Sequence, residues 1–395
     1  MTRLWDKGQP IDERVLRYTA GEDHLLDARL VAYDVRASIA HVEMLAEQDL
    51  ITAADRSAII GGLEELSRGY AAGEWQIALD DEDVHTALEN RLTGLIGDAG
   101  RRVHLGRSRN DQVLAALRLY LLDRIPAVSG RVERLDDSLA ALIRRQGDVV
   151  LPGYTHMQQA MPSSVALWCG GFREALRDAV DGLAAAGRRL RKNPLGSAAG
   201  YGTPGLELNR DATTDKLEFA VTQEPVTAVQ LSRGKAEAGL LFELTLLTQD
   251  LGRLAGDLLL FNTQEFSYVE LAPETTTGSS IMPQKRNPDV LELVRGAGAT
   301  VHACLDECLM ITAKLPSGFQ RDLQRIKAPL FRGIDLSIAS IKIMALVIDG
   351  LSFRPENIRL DPGIYATEKA YTLATERGIP FRDAYRQVAA RIQGD

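Results

Sequence analysis

Apolar residues recur at helical spacing along most of the chain. Ile59, Leu63 and Tyr70 fall on one face of a predicted helix. Thr52 and Asp55, three residues apart just before them, form the pattern of a capping box and predict where that helix begins. The same spacing returns in later segments, so the sequence predicts α-helix as its main structure.

Two stretches follow a stricter pattern, with apolar residues at alternating steps of four and three. The first stretch contains Val128, Val132, Leu135, Leu139 and Leu142, and the second contains Leu240, Leu244, Leu247, Leu251, Leu254, Leu258 and Phe261. Heptads of this kind keep one seam of a helix against partner helices along its whole length. The partners belong either to the same chain or to another subunit, and the pattern favours neither. Pro126 should kink or interrupt the helix that precedes the first stretch.

Strand signals are nearly absent, and the helical segments are separated by stretches rich in glycine and proline. The fold class is therefore predicted to be all-α. The predicted loops cover residues 100–110, 151–162, 193–205, 272–289 and 314–322. The predicted domains are an N-terminal helical domain (1–103), a central bundle of long helices (104–350) and a short C-terminal helical domain (351–395).

Composition narrows the class of protein. The chain has 395 residues, 45% of them hydrophobic and 25% charged, with a net charge of −8, which is typical of a soluble globular protein and argues against general nucleic-acid binding. The start of the chain, MTRLWDKGQPIDERV, lacks the apolar core of a signal peptide, and no apolar run approaches the length of a membrane span. The three cysteines make no disulfide framework, Cys304 and Cys308 in an apolar helical run are interpreted as buried thiols, and a cytoplasmic location is expected.

The segment Thr275–Asp289, TTTGSSIMPQKRNPD, combines serine hydroxyls with cations. Ser279 follows a glycine, Lys285 and Arg286 come next, and Pro288 begins an apolar helix. Loop amides and cations grouped in this way favour a bound carboxylate and lower the pKa of a serine hydroxyl. The plainer interpretation is a solvated basic loop that ends at the proline.

The segment His104–Gln112, HLGRSRNDQ, places Arg107 and Arg109 two residues apart, next to Ser108 and Asn110. Guanidinium groups bind anions in a bidentate manner, and the neutral side chains add hydrogen bonds. The segment therefore predicts an anion site. Alternatively, both arginines form salt bridges at a helix start and Asn110 caps the helix.

The segment Leu151–Pro162, LPGYTHMQQAMP, holds His156 directly after Thr155. A lone histidine is more often structural than catalytic. Glycine and proline nevertheless bound this segment as a loop, in which an imidazole can be both exposed and aimed at a substrate. The segment Asp80–Leu92, DDEDVHTALENRL, is weaker evidence, because acidic residues at a helix start are also favoured by the helix dipole.

Together these segments resemble the argininosuccinate lyase branch of the fumarase/aspartase superfamily. GSSIMPQKRNP is similar to the motif GSSxMPxKxNP, HLGRSRNDQ to GRSRND, and GYTHMQQAMP to GYTHxQxAxP. The resemblance covers nearly the whole chain. It implies a fold of long helices and the cleavage of argininosuccinate to arginine and fumarate. It also implies a homotetramer whose sites draw loops from different subunits, and two long heptad rods are more apolar seam than one small chain readily hides.

The resemblance implies a role for each matching residue. Ser279 is the general base, and His156, or else Lys285, gives a proton to the departing guanidine. The residues implied to bind substrate are Ser108, Arg109, Asn110, Thr155, Asn287, Gln324, Lys327 and Asp27. Those implied to support the site are Asp83, His85 and Glu292, the last as a partner of the histidine.

The chemistry explains why such groups are needed together. A C–H bond beside a carboxylate is a weak acid, so fixed donors must stabilise the charge that develops when its proton leaves. A serine must be ionised by its surroundings before it can act as a base. No step calls for a metal or an organic cofactor.

The sequence departs from the family pattern in two places. Phe319 stands where the family has a tyrosine, and the chain ends soon after GIPFRDAYRQVAARI, so the C-terminal domain is abbreviated. Three alternatives remain open: another lyase of the superfamily, a lyase acting on a different N-succinyl amine, and a catalytically silent relative such as the lens crystallins.

Overall fold

Helices make up most of residues 12–394, which the computed structural model describes. The α-helices are α1 (Glu13–Ala20), α2 (Asp23–Leu26), α3 (Val31–Glu47), α4 (Ala53–Ala71), α5 (Val84–Ile96), α6 (Asp98–Arg101), α7 (Arg109–Gln146), α8 (Val165–Leu190), α9 (Arg210–Lys216), α10 (Thr227–Leu231), α11 (Lys235–Phe261), α12 (Asp289–Thr312), α13 (Lys327–Gly350), α14 (Ala366–Arg377) and α15 (Phe381–Gly394). The all-α prediction is confirmed. The predicted capping box is also present, because Thr52 and Asp55 cap each other at the start of α4.

The two heptad stretches lie on α7 and α11, and every one of their apolar side chains is buried. Their partner helices therefore belong to the same chain, which settles the alternative that the pattern left open. The expectation that one chain could not hide both seams is wrong. Five helices of 24 residues or more supply enough facing surface for both seams.

Pro126 lies inside α7, which continues for 38 residues. Pro126 therefore does not interrupt the helix, and a kink there stays a prediction. A proline within a helix costs about 3 kcal/mol. The buried apolar residues on both sides, such as Leu121 and Val128, offset that cost by packing along the helix.

Short strands lie between the helices, and five of those in the described part of the chain overlap predicted loops: β1, β2, β3, β6 and β7. The strands are β1 (Val150–Thr155), β2 (Gln158–Ser164), β3 (Lys192–Asn193), β4 (Val221–Thr222), β5 (Val269–Glu270), β6 (Thr277–Gly278), β7 (Arg286–Asn287) and β8 (Ser352–Phe353). β1 and β2 form an antiparallel hairpin, and β6 and β7 form a second, shorter one. The loop prediction for 151–162 is wrong. The sequence resembles a loop there because Pro152, Gly153 and Pro162 are poor strand residues, and because burial along the hairpin does not alternate.

The chain divides into two units, each built from three separate segments. The first unit contains residues up to Ser129, Asp181–Leu244 and Val301–Asp335, and the second contains Gly130–Val180, Thr245–Thr300 and the chain from Leu336 onward. The three sequence domains stay a prediction.

The burial of the cysteines and the character of the helices agree with the expectations from composition. Cys169, Cys304 and Cys308 are all buried free thiols, as predicted for Cys304 and Cys308. Among residues 12–394, no helix is both long and apolar enough to cross a membrane.

Candidate active site

The first unit contains a pocket of about 410 Å³ whose wall is dense in charge. That volume is in the range of small-molecule sites. The acidic residues in its wall are Asp23, Asp27 and Asp83, and the basic ones are Arg107, Arg109, Arg233, Arg321 and Lys327. Eight of the predicted site residues line this pocket: Asp27, Asp83, His85, Ser108, Arg109, Asn110, Gln324 and Lys327.

Lys327 is the first residue of α13, and its buried ammonium group forms ion pairs with two carboxylates. Its Nζ atom lies 2.6 Å from Asp27 and 2.9 Å from Asp23. Burial lowers the pKa of Lys327, but the charges of these two carboxylates outweigh burial and leave the pKa above its ordinary value. Burial also raises the pKa of Asp23 to about 6, against the opposing charge of Lys327. The pocket thus holds one lysine cation shared by two carboxylates.

Asp83 connects the start of α5 to the pocket. One carboxylate oxygen accepts the Thr86 N–H at 2.9 Å and so caps the helix, and the other accepts from the Arg109 guanidinium. Arg109 also donates to Glu82 at 3.3 Å. Burial raises the pKa of Asp83, but the charges of His85 and Arg109 outweigh burial and leave the pKa below its ordinary value. Asp83 therefore caps the helix start and lines the pocket at the same time.

Ser108, rather than Asn110, caps the start of α7. The Ser108 hydroxyl accepts the backbone N–H of Asn110 at 3.0 Å, and the Asp111 carboxylate accepts the backbone N–H of Ser108 at 3.1 Å. The alternative in which Asn110 is the cap is wrong, which leaves the Asn110 side chain facing the pocket. Asp111 also accepts the backbone N–H groups of Gly196 and Ala198 at 2.9 and 2.8 Å, so it ties two loops together.

His85 is buried beside a second carboxylate. Its Nδ1 atom lies 3.2 Å from Asp34, and Gln112 donates to the same carboxylate at 3.0 Å. Burial lowers the pKa of His85, but Asp34 and other nearby acids outweigh burial and raise it. His85 thus lines the pocket in contact with the Asp34 carboxylate.

Gln324 and Phe319 complete the wall on the α13 side. The Gln324 amide donates to the backbone carbonyls of Thr19 and Ala20 at 2.9 and 3.3 Å. Only its carbonyl oxygen therefore remains for a ligand. The Phe319 ring lines the pocket and lies 5.4 Å from the guanidinium carbon of Arg233.

Among the residues of this pocket or its support that sequence reasoning missed are Asp23, Asp111 and Arg233. Asp23 lies four residues before Asp27, a spacing that can place two side chains on one side of a helical turn, and this signal was available. Asp111 is part of the HLGRSRNDQ motif but was read only as sequence context. Arg233 lies outside every motif, and no signal points to it.

The second unit carries the remaining predicted residues on two hairpins, except Glu292, which lies on α12. His156 and Met157 form the two-residue turn between β1 and β2, with φ angles of 52° and 59°. This turn leaves Thr155 and His156 exposed. The hairpin is anchored away from its tip, because Gln159 donates to the Arg359 carbonyl and accepts from the Asp361 N–H, both at 2.9 Å. The imidazole of His156 is therefore exposed to solvent at the tip of an anchored hairpin.

Ser279 follows directly after β6, in the loop that connects it to β7. Its Oγ atom accepts the backbone N–H groups of Met282 at 3.2 Å and Ile281 at 3.4 Å. Asn287 on β7 donates its side-chain amide to the Gly278 carbonyl at 3.3 Å, and Lys285 is exposed in the loop between the strands. The hairpin thus carries Ser279, Lys285 and Asn287 in one short segment of the chain.

Glu292 is exposed on the first turns of α12. Among the described residues, it forms no ion pair with His156. Their predicted partnership stays a prediction.

Comparisons with known proteins agree with these features. A family model described as lyase matches residues 9–303. An argininosuccinate lyase from Sorangium cellulosum is 46% identical over 392 residues, which cover 99% of this chain and 90% of the relative. An argininosuccinate lyase from Thermotoga neapolitana is 39% identical over 391 residues, which cover 98% of each chain.

Solved structures show the same fold. A variant of EDDS lyase with bound fumarate aligns with 97% of this chain and 76% of its own, with a TM-score of 0.80 and 26% identity. A class II fumarase from Schistosoma mansoni aligns with 95% of this chain and 91% of its own, with a TM-score of 0.79 and 19% identity.

Proposed function

Since this chain belongs to the lyase family, and within it to the argininosuccinate lyases, we propose that it cleaves argininosuccinate reversibly to arginine and fumarate, the last step of arginine biosynthesis. The observation that carries this proposal is the charged pocket of the first unit. Asp23, Asp27, Asp83, Arg109 and Lys327 are held in ion pairs there, so they form a pre-organised site for a ligand that carries both signs of charge. Argininosuccinate is such a ligand.

The reaction begins with removal of a proton from the carbon next to a succinyl carboxylate. Ser279 takes this proton as an alkoxide. Two backbone N–H groups point at its Oγ atom, and such donors stabilise an ionised oxygen more than a neutral one. Lys285, in the same loop, adds a positive charge nearby.

The negative charge that develops on the carboxylate is stabilised by donors from several loops. We assign Lys285, Asn287, Thr155 and Asn110 to this task. The electron pair then forms the double bond of fumarate and the C–N bond breaks. Its electrons pass to the guanidine nitrogen, which takes a proton from His156, or else from Lys285.

We assign the amine half of the substrate to the part of the pocket beside Phe319, Gln324 and Lys327. Asp27 and Asp83 act there by holding Lys327 and Arg109 in place. Ser108 fixes the start of α7, and Arg109 then faces the substrate from that helix. His85 and Glu292 support the groups that contact the substrate.

A homotetramer is part of the proposal. Its support comes from large apolar side chains that remain exposed on the long helices although the heptad seams are buried. These are Leu167 on α8, Phe242 and Leu246 on α11, Leu293, Leu309 and Met310 on α12, and Leu346 on α13. Exposed apolar residues along helices are typical of subunit interfaces. The three buried thiols fit a reducing cytoplasm.

The test is an ultraviolet absorbance assay for fumarate, with purified protein and argininosuccinate and without added metal. A panel of N-succinyl amines, including adenylosuccinate, is run beside it. Release of fumarate from argininosuccinate above every other amine is expected. A correctly folded protein that releases none, even at high enzyme concentration, would disprove the proposal.

A further inference from the structure

Arg233 lies between α10 and α11 and lines the pocket of the first unit. Only 7% of the residue is exposed. Its Nη1 atom is buried and has no hydrogen-bond partner among the described residues. A buried N–H donor left without an acceptor is costly, so this guanidinium needs an explanation.

Arg233 differs from the other cations of the pocket. Lys327 and Arg109 each pair with two carboxylates, Arg107 donates to the Ser38 hydroxyl, and Arg321 donates to the Thr19 carbonyl. Of the five lysine and arginine side chains in the wall, Arg233 alone makes no hydrogen bond or ion pair with residues 12–394. It is therefore the cation available to a ligand.

The surroundings of Arg233 keep it charged and oriented. Burial lowers its pKa to about 10, with the charges of Glu237 and Asp23 opposing this shift. At neutral pH the side chain is still a cation. The Phe319 ring, 5.4 Å from its guanidinium carbon, adds a cation–π contact that restricts its orientation.

A purely structural role would give Arg233 a partner inside the protein, and Glu237 is the obvious candidate. Glu237 is buried, and its Oε2 atom also lacks a hydrogen-bond partner. The two side chains nevertheless form no ion pair. The position of Arg233 in the pocket wall thus points to a ligand rather than to Glu237.

We propose that Arg233 binds the α-carboxylate of the amine half of the substrate, and so makes the enzyme select an amino acid over the corresponding amine. This inference rests on the proposed function, and it assigns one group of the substrate to one side chain. The succinyl carboxylates are assigned to other residues, and the α-carboxylate is the anion that remains. Phe319, beside Arg233, belongs to the part of the pocket that receives the amine half.

The test compares arginine with agmatine, which lacks only the α-carboxylate. In the reverse reaction, each is offered with saturating fumarate and kcat/KM is measured. Wild type is expected to prefer arginine at least tenfold. Arg233→Gln should lower kcat/KM for arginine by about tenfold to a hundredfold, mainly through KM, and leave agmatine within about threefold, because only arginine loses a charged hydrogen bond.

Two further variants sharpen the comparison. Arg233→Lys keeps the charge but loses the planar fork, so an intermediate loss with arginine alone is expected. Arg101→Gln is the matched control, because its side chain is 71% exposed and lies outside the pocket wall. It should change neither substrate.

Equal losses for arginine and agmatine in Arg233→Gln would show a structural role and overturn the inference, as would an unchanged arginine rate. If that variant fails to fold, wild type alone decides, since equal use of arginine and agmatine contradicts the inference. Calorimetric binding of arginine and agmatine to wild type separates this inference from the proposed function. If wild type binds arginine more tightly than agmatine but releases no fumarate from argininosuccinate, the proposed function is wrong and the assignment of Arg233 still stands.

Discussion

Lys327 and Asp27 form a buried ion pair, 2.6 Å apart, between residues 300 positions apart in the sequence. The pair places the start of α13 beside the turn that follows α2. Asp23, 2.9 Å from the same ammonium group, is the second carboxylate on one cation. The charge of Lys327 does not fully offset the effect of burial on Asp23, so the pKa of Asp23 is raised to about 6.

The first prediction is that Asp23→Asn stabilises the protein more as the pH rises. A carboxyl whose pKa is higher in the folded state binds its proton more tightly there, so the wild type loses stability between about pH 4 and pH 6 and nothing more above that. Asparagine has no such titration. The free energy of unfolding, from urea denaturation at several pH values, should therefore show a mutant-minus-wild-type difference that grows across this window and is then constant.

Asp98→Asn is the control for that experiment, because the Asp98 side chain is 90% exposed. Its difference from wild type should stay flat. A difference for Asp23→Asn that shrinks as the pH rises would mean that Lys327 fully compensates both carboxylates.

The second prediction concerns the brace under the Ser108 loop. Asp111→Asn replaces one carboxylate oxygen by an NH2 group, so either the bond from the Ser108 N–H or those from the Gly196 and Ala198 N–H groups are lost. The free energy of unfolding should fall by about 1–3 kcal/mol, and KM should rise because Arg109 begins the helix that this brace fixes. Thermal denaturation and steady-state kinetics measure the two effects. Asp137→Asn, exposed on the same helix, should do neither; equal behaviour of the two variants would contradict the prediction.

The third prediction concerns the base. Ser279→Ala removes a hydroxyl from an exposed loop, so the melting temperature should stay close to that of wild type. The value of kcat should fall roughly a hundredfold to ten-thousandfold, as expected for the loss of a general base. Ser280→Ala is the control, and it should retain most activity. Near-normal turnover of Ser279→Ala together with a collapse of Ser280→Ala would move the base by one residue.

The fourth prediction concerns Phe319, where the family has a tyrosine. If the substrate is argininosuccinate and another group replaces the lost hydroxyl, Phe319→Tyr should change kcat/KM by about the worth of one hydrogen bond, roughly 0.5–1.5 kcal/mol. We expect this outcome because Arg109, Gln324 and Lys327 all line the same pocket. The measurement is kcat/KM for argininosuccinate and one competing N-succinyl amine, in both proteins. A wild-type preference for the competitor that the substitution reverses would show that the pocket serves a different amine.

The fifth prediction concerns assembly. His156→Asn and Ser279→Ala, each inactive alone, should regain some activity when mixed through unfolding and refolding, provided that a site takes its loops from different subunits. Each variant refolded with itself is the control and should stay inactive. A protein that is fully active yet monomeric by light scattering would exclude the shared site.

The sequence predicted the helices and many of the site residues because both leave local patterns. The seams on α7 and α11 are regular over five and seven positions, and all of them are buried. The motif HLGRSRNDQ is likewise a continuous string, and Ser108, Arg109 and Asn110 do line one pocket.

The features that the sequence did not predict depend on tertiary contacts. Whether Ser108 or Asn110 caps α7 is decided by the Asp111 carboxylate and by loops more than 80 residues away. The β1–β2 hairpin has prolines and no alternation, so its strands are set by pairing with each other and by Gln159 contacting Arg359 and Asp361. Arg233 carries no motif, and only its burial beside Phe319 distinguishes it from other arginines.

The turn at His156 and Met157 has a consequence for how this protein responds to selection. Both residues adopt left-handed backbone angles, which side chains other than glycine, asparagine and aspartate disfavour by about 1–2 kcal/mol each, and two-residue hairpin turns of this shape prefer asparagine followed by glycine. A library screened for heat tolerance alone should therefore enrich those residues at both positions. A library screened for turnover should retain His156 and allow only Met157 to change. The two screens should therefore select different residues at position 156.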